Sequence, residues 1–68
     1  MKSSIRNKFE GKIVDIIAGD AMSEVDVKTK AGVISAAITS RSVKELALKK
    51  GDKVIVGVKS TAVFIEKE

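Results

Sequence analysis

Thr39-Ser40-Arg41-Ser42-Val43-Lys44-Glu45-Leu46-Ala47-Leu48-Lys49-Lys50-Gly51 is the one stretch of this 68-residue chain where the apolar period departs from two. From Ser42, the residues Val43, Leu46 and Ala47 fall at helical spacing over about two turns. Ser42 and Glu45 have the spacing of a capping box, and Thr39 or Ser40 has the right chemistry to cap instead. Lys49 and Lys50 suit the negative end of the peptide dipoles, and Gly51 suits a left-handed stop.

On both sides of that stretch the pattern alternates as strands do. Phe9–Ile17 reads as a first strand, with apolar residues dense enough near its end to be buried on both faces. Ala18-Gly19-Asp20-Ala21 is a turn signal. Met22–Lys30 alternates, with Val25 and Val27 on one face and Glu24, Asp26 and Lys28 on the other. Lys30-Ala31-Gly32 offers a short hairpin with glycine where φ must be positive. Val33–Thr39 is a third strand whose small residues suggest close packing against another backbone. Lys53–Lys59 and Thr61–Glu66 supply a fourth and a fifth.

Three strands, a short helix, then two more strands is the order of a five-stranded Greek-key barrel of the OB type. The expected fold is therefore all-β with one short helix, and residues 1–68 form a single domain. A chain this short buries only roughly 60% of its unfolded surface, which leaves it marginal, and it has no Cys for disulfides and no His or Cys for a structural zinc. Oligomerisation is expected to supply the missing burial. Open edges on a small barrel favour the same outcome.

Composition excludes several functions. Without His or Cys there is no Ser-His-Asp or Cys-His nucleophile and no zinc site. No carboxylate pair is evident for acid–base chemistry, so no enzyme is expected. Lys and Arg total 13 against 9 Asp and Glu, a net charge of +4 that favours anionic partners. Phe9 and Phe64 are the only aromatic residues, too few for a base-stacking platform. Met1-Lys2-Ser3-Ser4 leads to Arg6 with no apolar run behind it, and nothing approaches the about 20 apolar residues of a membrane span. A soluble cytoplasmic protein with no membrane partner is expected.

Short hydrogen-bond donors gather beside a cation in three places: Ser3-Ser4-Ile5-Arg6-Asn7, Thr39-Ser40-Arg41-Ser42 and Lys59-Ser60-Thr61. A tetrahedral dianion needs charge compensation and several donors converging on its oxygens. Arginine gives a fork, lysine a point charge, and serine and threonine give adjustable hydroxyls. A helix N-terminus adds backbone N–H groups. None of the three clusters has a carboxylate within two residues. The plainer reading of each cluster is a polar arm, a helix cap and a bend between strands; Arg41 suits either role and is set aside.

The ordered set of motifs resembles the molbindin family of small molybdenum-pterin-binding proteins. The resemblance runs through Ser4-Ile5-Arg6-Asn7 with Gly11-Lys12-Ile13, Ser23-Glu24-Val25, Ala36-Ala37-Ile38-Thr39, Ser42-Val43-Lys44-Glu45-Leu46, Leu48-Lys49-Lys50-Gly51-Asp52 and Val58-Lys59-Ser60-Thr61. It implies an OB-like fold, a hexamer built as a trimer of dimers, and binding of molybdate or tungstate between subunits for intracellular molybdenum storage and homeostasis, without catalysis. The metal is then carried as an oxyanion, with no cation ligands. A pterin cofactor such as molybdopterin is compatible with the family's name, and no residue here argues for one. The oxyanion-binding residues implied are Ser4, Arg6, Asn7, Thr39, Ser42, Lys59 and Ser60. Ile5 stands where the family usually has alanine, Ala62 replaces an often acidic residue, and Asp20 puts an acid in a turn that is typically uncharged. The competing reading is a small basic OB-type module for single-stranded nucleic acid, which the scarcity of aromatic residues disfavours. A third is a regulatory oxyanion sensor that docks on another protein.

Overall fold

The computed structural model describes residues 4–68. Strands β1 (Asn7–Ile17), β2 (Met22–Thr29), β3 (Gly32–Thr39) and β4 (Lys53–Val58) form one curled antiparallel sheet in the order β3-β2-β1-β4. Helix α1 (Ser40–Glu45) leaves the end of β3, and a 3₁₀ turn at Ser60–Ala62 follows β4.

Among the described residues three apolar side chains are buried: Ile13, Val25 and Val27. Ile16, Ile38, Val43, Leu48, Val54 and Val56 pack around them from the strands and from the segment containing α1. The two-sided burial expected near the end of β1 is not found. The register slips by one residue between Ile13 and Asp15, so Val14 and Ile17 are exposed while Ile16 turns inward. Such a bulge exchanges the faces of the residues that follow it, so that Asp15 lies opposite Asp26 on the outer face and Ile16 packs on the core. Gly11 lies just before it, where an added Cβ would sit 2.6 Å from both the Lys28 carbonyl oxygen and Val27 Cγ1. The hairpin after β2 uses Gly32 at φ 105°, as its sequence requires, and Thr29 Oγ1 accepts from Ala31 N–H and donates to the Gly32 carbonyl.

The helix starts and stops earlier than the sequence suggests. Its cap is Thr39, whose Oγ1 accepts from the Ser42 N–H at 3.1 Å, so the Ser42–Glu45 capping box does not form. The strand runs to Thr39 and leaves no spacer before the helix. The stop is Ala47, at φ 51°, rather than Gly51, which at φ 90° serves the separate turn into β4. Val43 and Leu48 reach the core, and Leu46 points to solvent.

The expected fifth strand at Thr61–Glu66 is absent from the single chain. Residues 60–62 form the 3₁₀ turn, and Val63, Phe64 and Ile65 are 50%, 78% and 91% exposed. A strand needs a ladder partner, and the folded chain turns neither of its open edges, β3 or β4, toward this segment. The small residues of β3 divide between faces: Ala36 is half-buried on the inner side, whereas Ser35 and Ala37 are exposed.

Candidate functional site

Antiparallel pairing of β1 with β4 brings two of the three donor clusters together. Asn7 is opposite Val58, and its Nδ2 donates to the Val58 carbonyl at 3.2 Å. One step beyond that pair, the chain continues as Arg6 on one side and Lys59 on the other, followed by Ser4 and Ser60. Ser4, Arg6, Lys59 and Ser60 are all exposed. Among the described residues neither Arg6 nor Lys59 has a carboxylate partner, since the one ion pair found joins Lys50 to Asp15 at 3.6 Å. This end of the sheet thus presents two uncompensated cations flanked by two hydroxyls. Ser3 lies outside the described residues.

The third cluster is elsewhere. Thr39 is opposite Met22 at the far end of the sheet, beyond the pair Ile17–Glu24. Ten residue steps of β1 separate Asn7 from Ile17, a path of about 33 Å along the strand. An open cavity of about 680 Å³ lies beside Thr39, lined also by Asp20, Ala21, Ser40, Arg41, Lys44 and Glu45, and neither Arg6 nor Lys59 reaches it. One chain therefore does not assemble all seven residues into one pocket.

Hydrogen-bond accounting shows what the Thr39 end offers. Thr39 Oγ1 and Ser42 Oγ are 2.7 Å apart, so one hydroxyl donates to the other and a single proton of the pair is left to point outward. The Ser42 N–H is already taken by Thr39. A helix of six residues stacks few peptide dipoles, so the amide and dipole contribution expected from sequence is small here. The cavity also holds two carboxylates, Asp20 and Glu45, close in space although neither is within two residues of Thr39 in sequence. Arg41, set aside on sequence grounds, lines this cavity with Lys44 and offsets them.

Two further serines hold the site's frame and carried no sequence signal as a pair. Ser40 Oγ donates to the Gly19 carbonyl at 2.6 Å, which uses its only proton. Ser23 Oγ, 2.7 Å away, must therefore donate to Ser40 and accept from the Gly19 N–H at 3.3 Å. The result is a closed ring of hydrogen bonds that starts and ends on Gly19. Together with Ser40 N–H to the Ala21 carbonyl at 2.9 Å, it fixes the 18–21 turn against the start of α1. Among the described residues no group of His, Cys, Asp or Glu side chains is arranged to hold a metal cation.

Comparison with known proteins places the chain. The TOBE domain family model matches residues 3–65. The chain belongs to the TOBE domain family. Molybdenum-pterin-binding protein 2 of Clostridium pasteurianum is 38% identical over 66 residues, covering 96% of this chain and 97% of that protein. Among solved structures, a molybdate-binding protein from Sporomusa ovata superposes with a TM-score of 0.93 at 40% identity, over 98% of this chain and all of its own. The cytoplasmic molybdate-binding protein ModG, in a form with molybdate bound, gives a TM-score of 0.82 at 34% identity, over 88% of this chain and 43% of its own. TOBE relatives with these names are binding proteins, not an enzyme class. No helix in the described part of this TOBE domain is long and apolar enough to cross a membrane.

Proposed function

We propose that this TOBE domain binds molybdate or tungstate at sites shared between subunits and serves as a cytoplasmic molybdenum store. The observation that supports the reading is the Asn7–Val58 pair, from which the chain runs on as Arg6 on one side and Lys59 on the other, neither with a carboxylate partner among the described residues, on a chain similar to molybdate-binding proteins. Arg6 and Lys59 neutralise the dianion, and Ser4 and Ser60 orient its oxygens. Thr39 and Ser42 come from a second copy, because their own chain holds them at the other end of the sheet. Asn7 keeps one of its two amide N–H groups for the anion after binding Val58.

Surface area supports the sharing. The chain exposes 5910 Å². A compact monomer of 7.2 kDa exposes roughly 4,100 Å². The excess of roughly 1,800 Å² corresponds to about two standard interfaces per subunit. That is what a trimer of dimers requires, one contact within the dimer and one between dimers. Val63-Phe64-Ile65 is apolar, extended in pattern and exposed, and β3 offers it an open edge on another copy. Pairing there supplies the fifth strand and completes an OB-type barrel in the assembly.

Selection follows from the donor set. The Arg6–Lys59 end has no carboxylate to accept strongly from an O–H, so it favours the fully deprotonated dianion over the phosphate monoanion. Sulfate is excluded by cavity size, since it carries the same charge and shape. The ligand proposed is the bare oxyanion. Titration calorimetry with molybdate in excess sulfate, on protein of known oligomeric mass, tests the reading: saturable micromolar or tighter binding is expected. Absence of heat from a folded oligomer contradicts it.

A further inference from the structure

We propose, resting on the oxyanion reading above, that Ser23 and Ser40 are positioning residues: their hydroxyls lock the segment carrying Thr39 and Ser42 in the orientation that meets the anion. Ser23 is 4% exposed and is the one buried polar side chain among the described residues. Its neighbours on the inner face of β2, Val25 and Val27, belong to the core, so a third apolar side chain there would serve packing as well. Burying a hydroxyl instead is costly unless its hydrogen bonds are made.

Those bonds converge on the start of α1. Ser40 Oγ gives its proton to the Gly19 carbonyl at 2.6 Å, Ser23 Oγ gives its own to Ser40 at 2.7 Å, and the Gly19 N–H donates to Ser23 at 3.3 Å. Each hydroxyl donates once and accepts once, and neither keeps a proton for an anion. The Ser40 N–H also binds the Ala21 carbonyl at 2.9 Å, so the first residue of α1 is held to the 18–21 turn by main chain and side chain together. Gly19 permits this close turn, since a Cβ there would meet the Met22 carbonyl oxygen.

The helix has little else to hold its start. None of its six residues is buried, and Val43 is its one side chain packed on the core. Thr39 directly precedes Ser40 and Ser42 follows two residues on, and their hydroxyls, 2.7 Å apart, have one outward proton between them. The ring around Ser40 sets where that proton points. With the ring closed, the pair is presented in a single orientation. With it open, only a fraction of molecules present the pair correctly, and apparent affinity falls by that fraction.

Calorimetric titration of the full chain with molybdate tests this. Ser23→Ala is expected to weaken binding by about 10-fold, the lower end for residues that orient ligand-holding groups from behind. In a Ser42→Ala background the same substitution should cost at most about 3-fold, because the contact it orients is already gone. Ile13→Val trims the fully buried core side chain, lowers the urea midpoint without touching the ring, and should leave affinity within about two-fold. Ser40→Ala opens the same ring from a half-buried position and should weaken binding alike. It decides the matter if circular dichroism shows Ser23→Ala to be unfolded. Wild-type affinity in the folded ring variant, a loss that is undiminished in the Ser42→Ala background, or an equal loss in Ile13→Val overturns the positioning role and leaves the oxyanion reading standing. Wild-type protein that gives no heat overturns both together.

Discussion

Asn7 Nδ2 donates to the Val58 carbonyl at 3.2 Å, and this contact joins the start of the sheet's first strand to the end of its last. From that pair the chain continues as Arg6 on one side and Lys59 on the other, 53 residues apart in sequence. Among the described residues neither has a carboxylate partner.

Arg6→Ala is expected to weaken molybdate binding by roughly 10- to 100-fold, the effect of losing a charge-assisted hydrogen bond of about 1.5–3 kcal/mol. Lys59→Ala is expected to act in the same direction. Because both side chains are exposed, circular dichroism and the urea midpoint should hardly change. Unchanged affinity in either variant by titration calorimetry would remove that residue from the site.

Thr39 and Ser42 are separable by stability. Thr39 Oγ1 caps α1 through the Ser42 N–H, so Thr39→Ala should cost about 1 kcal/mol in urea unfolding. Ser42→Ala leaves that cap in place and should cost less. Both should lower oxyanion affinity, since the pair has one proton to give and each substitution disturbs it.

Four strands, the hairpin glycine and the helix position were legible because they rest on local periodicity. What was not legible rests on a contact or on its absence. The Ile13–Asp15 slip has no composition signal; without it, strict alternation from Ile13 would face Asp15 inward and Ile16 outward. Thr39 wins the cap over Ser42 because β3 extends to it. Val63-Phe64-Ile65 has the pattern of a strand, but pattern does not say whose edge it pairs with. The Ser23–Ser40 ring joins residues 17 apart whose hydroxyls meet only once the 18–21 turn folds back.

Ala47 sits at φ 51°, where a Cβ is unfavourable by roughly 1–2 kcal/mol. Glycine relieves that strain and loses part of the gain to its greater freedom in the unfolded chain. Ala47→Gly is therefore expected to raise stability by up to about 1 kcal/mol, read from the urea midpoint at constant slope.

Glu24 predicts a pH dependence of definite sign. Its carboxyl lies above its ordinary value of 4.5 because Asp26 hydrogen-bonds to it and, with Asp15, repels its charge. The folded state thus holds the proton more tightly than the unfolded chain. The stability this provides is fully present below 4.5 and is lost as pH rises through the raised folded value. Glu24→Gln removes the titration. Relative to wild type, the variant should gain more in melting temperature at pH 7 than at pH 4; an equal gain at both would contradict the assignment.

The measurement that bears most directly on the central claim is a calorimetric titration of wild-type protein with molybdate, in excess sulfate, after light scattering has fixed the oligomeric mass. Shared sites predict saturable heat with micromolar or tighter affinity on an oligomer. Heat of the same affinity from a chain that is monomeric throughout the titration would contradict the sharing. A folded oligomer that gives no heat would contradict oxyanion binding itself.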